Sequence, residues 1–145
     1  DEFLDFYTQR LCHDTQLFQG VSELLEQLKL RGLPWGIVTN KPARFTRPLL
    51  QLLGLEQQTA CVVCGDEVNY TKPHPESLLK ASHQINNLPQ ECIYLGDDMR
   101  DVQASLAAGM LPIVARYGYL GNSEPPEKWG TKHLIDHPHE LLRYL

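Results

Sequence analysis

The stretch that decides the fold is CIYLGDDMRD, running from Cys92 to Asp101. Its first half, Cys92 to Gly96, is an apolar run of the length and composition of a buried strand. Three carboxylates, Asp97, Asp98 and Asp101, then fall within five residues. Carboxylates this close repel one another unless something positive offsets them. From Met99 to Ala108 the pattern is helical, and Gly109 stops it. The stretch is therefore strand, acidic turn, helix.

The same unit recurs along the chain. WGIVT (Trp35–Thr39) and CVVC (Cys61–Cys64) are short apolar runs and predict buried strands. Phe3, Phe6, Tyr7 and Leu11 predict an amphipathic helix at the start. Val21, Leu24, Leu25 and Leu28 form a second helical stripe, closed by Gly32 just past its end. Pro42 suits the first turn of a helix carrying Phe45, Leu49, Leu52 and Leu53 and ending at Gly54. Pro75 opens another, with Leu78, Leu79, Ser82 and Ile85 in register. Beyond the acidic stretch, PIVAR (Pro112–Arg116) predicts a strand, HLI (His133–Ile135) a short one and PHELLRYL (Pro138–Leu145) a terminal helix. The Gly- and Pro-containing segment Tyr117–Gly130 is the longest loop, expected on the surface near the functional edge. Strands alternating with helices mean an α/β fold: a parallel sheet covered on both faces.

Composition excludes several classes. The 145 residues are 42% hydrophobic and 21% charged, as in an ordinary globular domain with a sizeable core. The net charge of -5 argues against nucleic-acid or anionic-membrane partners. No apolar window is long enough to span a membrane, and DEFLDFYTQR lacks the form of a signal peptide. A cytoplasmic location is the default. Cys61 and Cys64 match C-x-x-C, which invites a zinc or redox reading. No second pair completes a site, and residues three apart on a strand face opposite ways, so small buried apolar residues are expected. His133 and His137 straddle a strand and a turn, which disfavours a shared metal.

In open α/β sheets ligands bind beyond the carboxyl ends of the strands. WGIV is followed by Thr39, Asn40 and Lys41; CVVCG by Asp66, Glu67 and, a few residues on, Lys72; CIYLG by Asp97, Asp98 and Asp101. Hydroxyl and amide, then lysine, then carboxylates meet on one edge. Mg²⁺ takes oxygen ligands and is commonly held by one or two carboxylates plus substrate phosphate. Lys72 is a point charge suited to phosphate. The Thr39 hydroxyl and the Asn40 backbone N–H can donate at a strand-to-helix junction, where anions bind readily. Each part also has an ordinary reading. Thr39–Asn40 can be a helix cap, a lysine before proline is usually solvated, and Asp98 or Asp101 can decorate the N-terminus of the next helix. Asp66 and Glu67 read as loop surface.

On these residues the chain resembles the haloacid dehalogenase superfamily, in its phosphoglycolate-phosphatase-like branch. GIVTNK (Gly36–Lys41), TKPHPESLL (Thr71–Leu79) and YLGDDMRDVQASLAAGM (Tyr94–Met110) match that family's second, third and fourth motifs. The tail ARYGYLG is similar to the branch too, in particular to members like N-acetylmuramic acid 6-phosphate phosphatase. The resemblance implies a Rossmann-like core and a Mg²⁺-dependent phosphomonoesterase acting on a small phosphorylated metabolite. It implies that Thr39 and Asn40 hold the phosphoryl oxygens, that Lys72 neutralises phosphate and nucleophile, and that Asp97 ligates Mg²⁺. Asp101 would be a further ligand or a partner behind it, and Asp98 carries no settled role.

The chain departs from the family at its first motif, the apolar strand followed by D-x-D-x-T that supplies nucleophile and general acid/base. No D-x-D occurs anywhere in the sequence. The expectation is a core truncated at its N-terminus: residues 1–17 a remnant of the helical cap and return linker, residues 18–145 an α/β core without its first strand. Such a chain is expected to be inactive alone. An empty central slot exposes two strand edges, so a bound N-terminal fragment, a rearranged sheet or association with another copy is expected. The alternative function is a non-catalytic phosphate- or Mg²⁺-binding or interaction module on the same fold. A phospho-acceptor receiver domain also clusters Asp, Thr and Lys, but there the acidic pair comes first and the lysine last.

Overall fold

In the computed structural model, the described residues are 2–3, 12–13, 16–17, 20–118 and 124–145; for the first three segments and residue 118 the description covers backbone only. Strands β1 (Glu2–Phe3), β4 (Gly36–Val38), β5 (Cys61–Val63), β6 (Ile93–Gly96), β7 (Leu111–Ala115) and β8 (Leu134–Ile135) form one sheet in the order β5-β4-β1-β6-β7-β8. Every pairing in it is parallel. Strands β2 (Cys12–His13) and β3 (Gln16–Leu17) pair antiparallel with each other.

The central slot is filled from within. Glu2 pairs with Gly36 of β4 on one side and with Tyr94 of β6 on the other, and Phe3 pairs with Leu95. Of the outcomes expected for an empty slot, the structure has a rearranged sheet closed by the chain's own backbone. The helix expected from Phe3 is corrected accordingly: Glu2 and Phe3 are strand, because two neighbouring strands with open hydrogen-bonding edges recruit them. Residues 4–11 of that expected helix lie outside the described residues.

Among the described residues, four α-helices cross over between strands: α1 (Val21–Leu30), α2 (Ala43–Leu52), α3 (Glu76–Gln84) and α4 (Met99–Ala108). In α1, Val21, Leu24, Leu25 and Leu28 are buried against Trp35, Ile37, Leu95 and Ile113 of the sheet region. On the opposite face, Leu78 and Ala81 of α3 and Ala104 and Ala108 of α4 pack with Val38, Val63 and Tyr94. The sheet is thus covered on both sides, as parallel sheets are. Helix α4 ends at Gly109 with φ of 80°, the left-handed conformation that glycine adopts without strain.

Some local expectations change. Helix α2 buries Thr46 and Leu50, while Phe45 and Leu52 are 58% and 65% exposed. The apolar stripe read from the sequence is therefore split: Phe45 and Leu52 point outward, while Leu49 and Leu53 are half-buried, Leu53 against the α1 side of the core; helical spacing alone does not say which of two adjacent stripes meets the sheet. The C-terminal helix is a 3-10 helix, Pro138–Tyr144, whose Leu141 reaches the α1 side of the core. The long loop is not wholly surface: Trp129 is buried with Val102 and Val114, and its indole N–H donates to the Glu124 carbonyl at 2.8 Å. Among the described residues, no helix is long and apolar enough to cross a membrane.

The corrected face of α2 is testable. Leu50→Ala should cost about 2–5 kcal/mol in urea unfolding, as for a fully buried leucine, whereas Leu52→Ala should stay within about 0.5 kcal/mol. Equal losses at both positions would mean the helix is rotated from the orientation described.

Candidate active site

The carboxyl ends of β4, β6 and β5 carry the groups singled out in the sequence, around the point where the strand order turns outward from β1 in both directions. Lys72 lies on the segment between β5 and α3, yet its side chain is fully buried. Its ammonium meets Asp101 Oδ1 at 2.9 Å, the Tyr94 hydroxyl at 2.7 Å and the Val38 carbonyl at 3.4 Å. Asp101, on the first turn of α4, has a side chain only 2% exposed. Its second oxygen, Oδ2, accepts from the backbone N–H groups of Asp97 at 3.0 Å and Asp98 at 3.1 Å. One carboxylate thereby ties the lysine to the strand-to-helix turn.

The turn is close enough to demand glycine. A Cβ on Gly96 would stand 2.4 Å from both Cβ and Oδ2 of Asp101. A Cβ on Gly65 would stand 2.0 Å from the Asn40 carbonyl oxygen, where the loops after β4 and β5 touch. Those loops are laced together: Thr39 N–H donates to Val63 O at 3.0 Å and Gly65 N–H to Lys41 O at 2.9 Å.

Asn40 has a structural task. Its side-chain Nδ2 donates to Lys72 O at 3.1 Å, and its Oδ1 accepts from Lys72 N–H at 3.0 Å. The amide thus mimics a strand partner for the lysine backbone. The buried Thr39 hydroxyl accepts from Lys41 N–H at 3.0 Å. Lys72 is joined to Pro73 by a cis peptide bond.

The three carboxylates have separate surroundings. Asp101 faces Lys72. Asp98 is the N-cap of α4: its Oδ1 accepts from Arg100 N–H at 2.9 Å and from Arg100 Nε at 3.1 Å. Burial pushes the Asp98 carboxyl up, but the Arg100 hydrogen bonds outweigh it and hold it below its ordinary value. Asp97 stands half-buried at the strand end, and its backbone N–H is held by Asp101. Among the described residues, no group of three or more His, Cys, Asp or Glu could hold a metal ion. The donors fit Mg²⁺ only as a partial site: Asp97 at the edge, with both Asp101 oxygens already engaged.

Asp66 and Glu67, read as loop surface, brace the site. Asp66 Oδ1 accepts from Ala43 N–H at the start of α2 at 3.0 Å. Glu67 pairs with Arg47 at 2.8 Å and accepts from Cys64 N–H at 2.8 Å. Burial raises the Glu67 carboxyl, and these two partners more than reverse it, leaving it below the ordinary value. Glu76 likewise takes the N–H groups of Asn69 and Tyr70. Ala43 and Arg47 lie 23 and 20 residues from Asp66 and Glu67, so the local sequence carries no sign of them beyond the acids themselves. Tyr94 did leave a sign: a polar-tipped aromatic inside an otherwise aliphatic strand needs a buried partner. The cysteines behave as small apolar residues. Cys61, Cys64 and Cys92 are buried free thiols, and burial pushes Cys64 up to about 11.

Two measurements probe this geometry. Asp101→Asn leaves the buried Lys72 ammonium without its counter-charge and should cost about 3–5 kcal/mol in urea unfolding; a loss under about 1 kcal/mol would mean the pair is solvated. Glu67 has a native pKa below its unfolded value, so its stabilisation is full above the unfolded pKa and vanishes as pH falls through the native one. The wild-type and Glu67→Gln chains should therefore differ in urea midpoint above about pH 5 and converge toward about pH 3. A gap that persists at the acid end would assign the effect to something other than Glu67 ionisation.

Known proteins resemble this chain in sequence and fold. The family model for haloacid dehalogenase-like hydrolases matches residues 1–115. N-acetylmuramic acid 6-phosphate phosphatase of Pseudomonas putida is 39% identical over 144 residues, which is 99% of this chain and 65% of that protein. Phosphoglycolate phosphatase of Xylella fastidiosa is 42% identical over 142 residues, 98% of this chain and 62% of that protein. A crystal structure described as "a predicted phosphoglycolate phosphatase from haemophilus somnus 129pt" superposes with a TM-score of 0.83 at 28% identity, covering 95% of this chain and 61% of that one. The chain thus spans somewhat under two thirds of the length of these relatives. By its fold, its strand-end residues and its match across most of its length, the chain belongs to the haloacid dehalogenase-like hydrolase family.

Proposed function

We propose that this chain carries the phosphate- and Mg²⁺-binding side of a phosphomonoester hydrolase acting on a small phosphorylated metabolite. The observation that carries the reading is the buried Lys72 ammonium, held by Asp101, Tyr94 and the carbonyl of Val38, which directly precedes Thr39, with Asn40 gripping the lysine backbone at the carboxyl end of a parallel sheet. The relatives' names, phosphoglycolate phosphatase and N-acetylmuramic acid 6-phosphate phosphatase, bound the substrate class to small organic phosphates.

The roles follow from the chemistry of each group. Thr39 O–H and Asn40 N–H donate to two phosphoryl oxygens, and Lys72 offsets the charge that gathers on phosphorus and its nucleophile. Asp101 holds Lys72 and, through the Asp97 and Asp98 N–H groups, the turn from which Asp97 projects. Asp97 is the metal ligand of the set, with Asp101 behind it. When bound, Mg²⁺ neutralises phosphate oxygens and orients them. The attacking carboxylate and the acid that protonates the leaving oxygen belong to a D-x-D motif, which this sequence lacks. In this reading residues 18–145 are the core, residues 1–17 a remnant of the helical cap and return linker whose Glu2–Phe3 pair occupies the central strand position, and hydrolysis needs the missing motif from elsewhere.

The test is complementation. The chain alone should bind inorganic phosphate and leave p-nitrophenyl phosphate intact. Combined with the segment of the Pseudomonas putida relative that it does not cover, it should hydrolyse phosphoglycolate or N-acetylmuramic acid 6-phosphate in a Mg²⁺-dependent way. Lys72→Met should abolish that turnover. Hydrolysis by the purified chain alone would overturn the assignment of a half-site. Phosphate binding with no turnover in any combination would favour a non-catalytic binding module.

A further inference from the structure

We propose that Tyr94 is a positioning residue for Lys72: its hydroxyl, together with the Val38 carbonyl, holds the ammonium beside the phosphate loop against the pull of Asp101. The proposal rests on the reading of Lys72 as the counter-charge to phosphate.

Tyr94 lies on β6 in a cluster otherwise lined by Val38, Val63, Leu78 and other apolar side chains. Its ring centroid is 5.2 Å from Lys72 Nζ and its hydroxyl oxygen 2.7 Å away. The Val38 carbonyl is 3.4 Å from the ammonium and 3.4 Å from the same hydroxyl. An ammonium can only donate, so the phenol oxygen accepts from Lys72 and its own O–H donates to Val38 O. The two hydrogen bonds polarise one another.

The geometry explains why a second anchor matters. Strands β4 and β6 flank β1, so the Tyr94 side chain reaches beneath the central strand from one neighbour to the other. Asp101 draws the ammonium toward α4 from one side. Val38 immediately precedes Thr39, so the Tyr94–Val38 pair draws it toward the start of the phosphate loop. With Asp101 as its principal partner, a flexible lysine side chain would settle on the carboxylate, and its charge would be spent there. Phenylalanine at position 94 would keep the ring and its packing but lose both hydrogen bonds.

The test uses the ¹⁵N-labelled chain and follows the Lys72 ammonium signal by NMR, assigned by its loss in Lys72→Met. A buried ammonium held by Tyr94 exchanges its protons slowly and gives a resolved signal at low temperature. In Tyr94→Phe that signal should broaden away while backbone amides remote from the site keep their positions, and inorganic phosphate should bind roughly tenfold more weakly, the scale of a hydrogen bond to a charged group. Biosynthetic replacement of tyrosine by 3-fluorotyrosine keeps the ring in place and weakens the oxygen as an acceptor, so it should shift the Lys72 signal even if the phenylalanine variant fails to fold. A Lys72 signal indifferent to both changes, or absent from the wild-type chain, would overturn the positioning role. Loss of the signal with phosphate affinity unchanged would overturn its bearing on the site. If the wild-type chain binds no phosphate, the functional reading fails, while the NMR comparison still decides whether Tyr94 holds the lysine.

Discussion

A buried ion pair between Lys72 and Asp101 organises this end of the molecule. Burying two charges is costly, and their attraction offsets the cost only when the remaining donors and acceptors are also satisfied. Here they are met from several elements: Val38 from β4, Tyr94 from β6, and the Asp97 and Asp98 backbone at the start of α4. The pair is therefore a junction of segments distant in sequence, and moving any one of them would expose a charge to apolar surroundings.

The glycines and braces around it serve that junction. Gly96 lets Asp101 close on the strand end, and Gly65 lets the loop after β5 lie on Asn40. Asn40 then aligns the Lys72 backbone from across the gap between loops. Asp66 and Glu67 fix α2 to the same loop. The result is a rigid rim at the carboxyl ends of parallel strands, where this class of sheet offers its crevice.

The acidic cluster resolves into a division of labour. Asp98 caps a helix and binds its neighbouring arginine, Asp101 neutralises a lysine, and Asp97 stands half-buried at the strand end. Repulsion among the three is eased because protein groups take up the charge of Asp98 and Asp101.

The alternation of strands and helices was legible in the sequence because period and punctuation are local properties. Helix α4 runs over the predicted residues, and Gly32, Gly54 and Gly109 end their helices with positive φ. That Thr39, Asn40, Asp97 and Asp101 come directly after strands was legible too, since each follows β4 or β6 within a few residues. Other features depend on what lies across the fold. The exposure of Phe45 and Leu52 on α2 depends on which face meets the sheet, and the burial of Trp129 on a partner cluster from α4 and β7. The strand at Glu2–Phe3 depends on two open edges made by residues more than 30 positions away. By itself the sequence determined which chemical groups stand at the ends of the strands, because that follows from short-range order. Only the tertiary structure decided that Lys72 is buried, that Asp101 and Tyr94 hold it, and that Asp98 is a cap, because burial and pairing are set by segments that meet only when the sheet closes.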